Sequence, residues 1–448
     1  MAAREQFSSR TGFIMAAAGS AIGLGNIWGF PTQTASNGGG AFVVIYIIMA
    51  FCLAYPALMA ELIIGRHSRS NIVTALRFIA PNRLSRSVGT AIGMYGVIVA
   101  SLILSFYAIV AGWMLAYLAE AVARLAGMQS LATWLVTFGL ERNLLTMGAF
   151  MALTMGIIAA GISSGIERWS TRLMPALLLI LLLLIVYVLT QDGAMTGLRL
   201  YLVPDFNQIK PGLILSAMGQ AFFSLSLGVG TMLVYGSYLS QNESLPKLGA
   251  AVTLVDTGVA FLAGLLILPA IFVAQHNGVT VFTAEGRLIA GPDLIFQVLP
   301  VLFDTMGEAG IFVALAFFVL MSIAALTSSI SMLEVPVSLA VEETSCSRPK
   351  ATLFIGALIF LASTVILLNF GALFSAVITL TTVYSQPLLG VCLCVFAGWI
   401  WHRNNLLMEI RKGHPQIEET WFWKIWPVYV KFACPLLILA NLIQSVTA

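Results

Sequence analysis

Apolar residues in this chain come in long, nearly unbroken runs, not in the one-sided stripes of helices that face water. Runs of about 20 residues match a hydrocarbon core of roughly 30 Å. About eleven can be marked, at 11–35, 41–65, 88–123, 144–161, 173–190, 211–239, 249–274, 307–341, 351–368, 372–400 and 422–444. The pattern predicts an all-α membrane protein with a single transmembrane domain over 1–448.

Two runs carry an internal interruption. The first contains Gly19-Ser20-Ala21-Ile22-Gly23-Leu24-Gly25-Asn26-Ile27-Trp28-Gly29-Phe30-Pro31. Glycine costs roughly 1 kcal/mol against alanine in a helix, so this segment predicts a break. Broken backbone is tolerated at membrane depth only where protein covers it or where it lines a cavity. The spacing of Gly19 to Gly23 and of Gly25 to Gly29 also suits close helix packing. The sixth run, however, repeats the feature as Ser224-Leu225-Ser226-Leu227-Gly228-Val229-Gly230. An offset of five spans inverts the second copy in the membrane. This predicts two inverted five-helix repeats, 11–190 and 211–402, with discontinuous first and sixth helices, plus an additional helix at 422–444.

Composition agrees with this picture: 59% of residues are hydrophobic and 9% charged. Basic residues fall mainly on one side. Arg4 and Arg10 precede the first run, and Arg66, Arg69, Arg77, Arg83 and Arg86 fill the second-to-third connection. Arg168, Arg172, Lys247, Arg348, Lys350, Arg403, Arg411 and Lys412 are expected in later loops on that side. The opposite side holds Arg124, Arg142, Arg199, Lys210 and Arg287. A multi-pass protein of the inner (plasma) membrane follows, with its N-terminus cytoplasmic and its C-terminus outside. The net charge of +3 reflects this topology, and no nucleic-acid partner is indicated. The N-terminus lacks a short apolar region with a cleavage site, so the first span is expected to be retained. Cys52, Cys346, Cys392, Cys394 and Cys434 form no CxxC pair and read as small buried hydrophobes. Loops 192–210 and 275–306, the latter with Gly291-Pro292-Asp293, are long enough to hold structure and act as an external lid.

Asp256 is the leading candidate for chemistry. It sits about eleven residues, or about 16 Å, into the seventh run with no basic neighbour. A carboxylate there needs a cation, a proton or a dense hydrogen-bond shell. Glu61 and Glu334 are weaker candidates, Glu61 being close enough to Arg66 to pair with it. Ala324-Ala325-Leu326-Thr327-Ser328-Ser329 offers hydroxyls that would make an uncharged oxygen cage beside an unwound segment, suited to Na⁺. His67, His276, His402 and His414 lie in or near loops without metal-ligand spacing. No nucleophile, base and orienting residue group together, so an enzyme is not expected.

With those residues in place, the chain resembles the neurotransmitter:sodium symporter family, in its bacterial amino-acid transporter branch. The resemblance rests on GSAIGLGNIWGFP, NGGGAF at Asn37–Phe42, ELIIGR at Glu61–Arg66, GQAFFSLSLGVG at Gly219–Gly230 and LTSSISMLEV at Leu326–Val335. It implies import of a small, apolar amino acid with two Na⁺ ions and no organic cofactor. The first sodium site would use the Ala21 carbonyl, Asn26, Ser224 and Asp256. The second would use the Gly19, Ile22 and Ala324 carbonyls with Thr327 and Ser328. The family usually has Thr and Asn at positions 224 and 256. Asp256 supplies the charge that chloride provides in other members, and Ala260 lacks a hydroxyl for chloride, so chloride independence is expected.

Gly23 stands where monoamine members carry an Asp, so the substrate should bring its own carboxylate. That carboxylate would meet sodium, amides around Gly25 and the Tyr107 hydroxyl, and its ammonium would meet carbonyls near Ala21, Phe223 and Ser226. Ile103, Phe223, Val229, Ser328 and Met332 would line the side-chain pocket. The resemblance also implies a cytoplasmic gate of Arg4, Ser237, Tyr238 and Glu342, with Phe7 replacing a usual Trp. Gly165 and Pro175 form a Gly-X9-Pro element for unwinding the fifth span. The usual external Arg falls at Gly29 and its Asp near Ile378, so closure there is expected from Tyr107, Phe223 and the 275–306 loop. The alternatives are a transporter of another zwitterion or osmolyte, such as taurine or betaine, and a solute sensor on this scaffold.

Overall fold

In a computed structural model, residues 5–282, 288–289, 292–344 and 346–447 are described. Among them, eight helices are long and apolar enough to cross a membrane on their own. Two more spans are bent pairs: Arg10–Ala21 with Gly25–Ser36 at 57°, and Trp421–Lys431 with Ala433–Val446 at 44°. The sixth run forms two shorter helices, Pro211–Ser224 and Thr231–Ser237, separated by six residues of non-helical chain. Leu179, Leu183 and Val186 on the fifth span and Leu353, Leu361 and Val365 on the ninth project outward. Ser20, Asn26, Glu61, Ser224 and Asp256 face inward. A surface this apolar around polar groups suits a bilayer, where each polar group must find a protein partner.

Local signals set the span ends. The third helix, Arg83–Leu125, starts on a capping box in which Asn82 and Ser85 bond reciprocally. It therefore begins earlier than its apolar run, and Arg83 and Arg86 are helical. The fifth span likewise starts at Ile162, not near 173. Its first turns contain Glu167, Arg168 and Arg172, whose charges disguised them as loop. Arg348 and Lys350 are also helical, within Arg348–Leu368. Cys52 is exposed, against the expected burial, while Cys394 and Cys434 are buried and all five thiols are free.

The two long loops hold helices, Ala194–Leu202 and Leu294–Thr305. The second is fixed to the bundle by the Tyr117 hydroxyl, which donates to the Phe296 carbonyl at 2.9 Å. Arg287 and Gly291 lie outside the described residues.

The third and eighth spans pack along one another, and the inner half of the sixth lies on the second. That last contact is backbone-close: a Cβ at Gly65 would come 1.9 Å from the Leu233 carbonyl oxygen. At the end of the second span, buried Arg66 bonds Glu409 at 2.8 Å, and His67 and Lys412 close on the same carboxylate at 3.2 and 2.7 Å.

Burial alone would raise the Glu409 carboxyl. Hydrogen bonds from His67 and Lys412 and the Arg66 guanidinium outweigh it, and the group sits at about 2, below its ordinary 4.5. A depressed folded value means the stabilisation is complete above about 4.5 and is lost as pH falls toward 2. Over that window the cluster contributes on the order of 3 kcal/mol. Thermal unfolding of the detergent-purified protein should show an acid limb there, and Glu409→Gln should flatten it.

Candidate substrate and sodium site

The first span stops being α-helical after Ala21. Its next residues turn through Ile22 (ψ 96°) into a wide turn over Gly25–Gly29 before the outer helix resumes. The sixth span breaks opposite, with Ser226 at φ 52°, Gly228 at φ 90° and Gly230 at φ 82°. Positive φ suits glycine and is strained at Ser226. Other protein groups meet the polar backbone these breaks release. Ser226 Oγ donates to the Ser20 carbonyl at 3.2 Å, and Gln220 donates to the Gly25 carbonyl at 2.8 Å. Asn26 Oδ1 accepts from the Gly23 amide at 3.3 Å. Glu61 is committed here and not to Arg66: it accepts from the Gly228 amide at 2.7 Å and the Leu233 amide at 3.3 Å.

The breaks enclose a cavity of about 90 Å³. Ala21, Gly23 and Gly25 of the first span, Ile103 and Tyr107 of the third, and Phe223, Ser226 and Val229 of the sixth line it. Ser328 and Met332 of the eighth span complete the set expected from sequence. Close approach explains Gly23: a Cβ there would lie 2.6 Å from Ser328 Oγ and 3.1 Å from the Tyr107 hydroxyl. Sequence reasoning missed Leu24, Trp28, Phe106 and Gln386 in the same wall. The first two lie inside the quoted glycine motif; Phe106 and Gln386 had no local signal.

Beside the cavity, Asp256 is 1% exposed. Asn26 Nδ2 donates to its Oδ1 at 2.8 Å and to Ser224 Oγ at 3.0 Å, while Ser224 Oγ donates to Asp256 Oδ2 at 2.8 Å. Tyr46, absent from the sequence reading, donates to Ser224 Oγ at 3.2 Å. Among the described residues no Lys, Arg or His forms an ion pair with Asp256. A buried carboxylate without a cationic partner is costly, and the oxygens around it are the ligands a hard cation takes.

A second, uncharged oxygen cluster lies where the first and eighth spans meet. Ser328 Oγ reaches the Gly19 and Ile22 carbonyls at 3.4 and 3.3 Å. Thr327 Oγ1 donates to the Ile323 and Ala324 carbonyls, each at 3.1 Å. For a substrate ammonium, the Phe223 carbonyl already accepts from the Ser226 amide at 3.0 Å. The Ser226 carbonyl accepts from Thr231 at 3.0 Å. The Phe223 carbonyl also takes the Leu225 amide, while the Ser226 carbonyl keeps one lone pair.

The gate candidates are spread more widely. Ser237 Oγ donates to the Val234 carbonyl, and Tyr238 donates to Glu334 at 2.6 Å, which Arg348 also pairs. Glu342 accepts from the Asn71 amide and side chain, both at 2.9 Å. Phe7 packs edge-on against Tyr235 and Tyr238. Arg4 lies outside the described residues. Gly165 occupies the wide first turn of a fifth span that runs unbroken through Pro175. Externally, Gly29 faces the Gln220 amide, 3.6 Å from where a Cβ would stand. Ile378 lies inside the continuous tenth span, Phe370–Ile400. Phe223 is 40% exposed and lines the cavity, while the 294–305 helix docks on Tyr117 and Phe318 through Phe296.

Two broken spans facing each other around buried oxygens and an uncompensated acid define a secondary transporter with a central ion and solute site. The profile of the Sodium:neurotransmitter symporter family matches residues 4–143 and 130–448, and the chain belongs to that family. It is 36% identical to an uncharacterized sodium-dependent transporter, YhdH, of Bacillus subtilis (strain 168), over 97% of this chain and 96% of the relative. A sodium- and chloride-dependent taurine transporter of Canis lupus familiaris is 25% identical over 99% of this chain and 79% of its own length. Among solved structures, MhsT in complex with L-phenylalanine matches at TM-score 0.83 and 35% identity, covering 99% of this chain and 100% of that one. The protein is thus a sodium-dependent, multi-pass membrane transporter and not an enzyme.

The Glu61 carboxylate ties the sixth-span break to the second span. Glu61→Ala should leave two buried amides unpaired, at about 1–3 kcal/mol each. A clear fall in the thermal midpoint of the purified protein is expected; an unchanged midpoint would show that the break holds itself.

Proposed function

We propose that the protein imports a small, apolar amino acid together with two sodium ions, without chloride, by alternating access. The buried, cation-free carboxylate of Asp256 carries this reading. One sodium ion sits among Asp256, Asn26, Ser224 and the Ala21 carbonyl, and its free face meets the substrate carboxylate. A shared ion–carboxylate contact makes each ligand improve the site for the other, which is the coupling a symporter requires. The second ion sits among Gly19, Ile22, Ala324, Thr327 and Ser328, where oxygens without formal charge hold it.

The ammonium end meets carbonyls near Ala21, Phe223 and Ser226, the last of which keeps a lone pair. Ile103, Val229 and Met332 receive an apolar side chain, in keeping with the phenylalanine bound to MhsT. Asp256 supplies a fixed negative charge beside the first ion, so no mobile anion is needed. The chain enters from the cytoplasm, and its two inverted repeats rock about the broken spans. Ser237, Tyr238 and Glu342 close the inner side with Arg4. Unwinding between Gly165 and Pro175 then admits water to the second ion.

Purified protein in proteoliposomes should accumulate a radiolabelled apolar amino acid under an inward sodium gradient, and replacing chloride by gluconate should leave the rate unchanged. Loss of flux in gluconate would refute the charge argument. Competition by taurine or betaine, with none by amino acids, would assign a different zwitterion. Binding without accumulation would make the protein a sensor.

A further inference from the structure

The substrate cavity adjoins a second, more polar chamber of about 360 Å³ that reaches Gln33, Gln220 and Asn441. Phe223 and Gln386 line both. Gln386 comes from the tenth span, which contributes no other residue to the cavity wall. It is 3% exposed, and no hydrogen bond engages its carboxamide among the described residues. Its neighbours are committed elsewhere: Ser385 pairs with Tyr95 at 2.7 Å, and Gln220 donates to Gly25.

The other polar side chains of the wall, Tyr107, Ser224, Ser226 and Ser328, already have work at the charged end of the substrate or at the ions. Gln386 has no such role. Its backbone carbonyl oxygen packs on the broken sixth span, 2.3 Å from where a Cβ on Gly228 would stand. That sets the Gln386 main chain beside the residue preceding Val229, and both residues line the cavity whose Val229 wall is assigned to the substrate side chain. A carboxamide both donates and accepts, so a substrate group that pairs with it is favoured over one that leaves it unmatched.

We infer that Gln386 is a specificity-determining residue that hydrogen-bonds a polar group on the substrate side chain. This rests on the amino-acid reading above and narrows it. The preferred substrate is an apolar body carrying one hydroxyl or N–H group, as in tyrosine or tryptophan, over the same body without it. Pockets built to hydrogen-bond a substrate group reject analogues lacking it, because their own polar group is stranded. The adjoining polar chamber lets water relieve part of that penalty, which limits the preference to about tenfold.

The test is sodium-driven uptake in proteoliposomes, with competition by matched pairs: tyrosine against phenylalanine, and tryptophan against 1-naphthylalanine. The wild-type protein should favour the polar member of each pair by about tenfold. Gln386→Met, close in shape, should bring each pair to near equality while the sodium requirement persists. Gln386→Glu, which keeps an acceptor, should retain the tyrosine preference. Equal competition in the wild type, or a preference that survives Gln386→Met, overturns the assignment. The wild-type comparison decides even where a variant fails to fold. If no amino acid competes at all, the amino-acid reading falls with it, a result distinct from uptake without discrimination.

Discussion

Backbone that leaves helical form at membrane depth must have its N–H and C=O groups met by protein, because lipid offers none. In this chain two spans break at the same place in the bundle, and much of the surrounding structure serves those breaks. Glu61 accepts from two amides of the sixth span, Gln220 donates to the Gly25 carbonyl, and Ser226 donates to the Ser20 carbonyl. Several residues of both breaks, among them Gly23, Gly25, Ser226 and Val229, line the cavity.

Charge follows the same logic. Glu409 has Arg66, His67 and Lys412, and Glu334 has Arg348 and Tyr238. Asp256 has Asn26 and Ser224, neutral donors that orient a carboxylate without cancelling it. Asp256, beside both breaks, thus has no cationic partner among the described residues. In the proposed mechanism, coupling is built from that shortage: an ion that satisfies Asp256 also prepares the place for a substrate carboxylate.

Much of this was legible in the sequence, because breaking a membrane helix takes glycines and leaves a visible scar. Gly19–Pro31 and Ser224–Gly230 marked both breaks, and Asp256 stood out as a charge deep in an apolar run. The ten cavity residues expected by resemblance all line one cavity. Groups whose partners are distant in the chain were not legible. Glu61 is five residues from Arg66 and looked like its partner, yet it bonds amides about 170 residues away. Tyr46 and Gln386 are single polar groups in apolar runs, and periodicity does not register one residue. The fifth span was clipped at its start because Glu167, Arg168 and Arg172 look like loop until Glu167 is seen accepting from Ser8 and Ser9.

The central claim is that Asp256 holds the sodium ion on which substrate binding depends. Calorimetric titration of detergent-purified protein with its amino acid, in sodium and in equimolar potassium, tests it most directly when repeated on Asp256→Ala. Binding in sodium alone for the wild type, and its loss in the variant, is the predicted result. Near-native sodium affinity in Asp256→Ala would contradict the account.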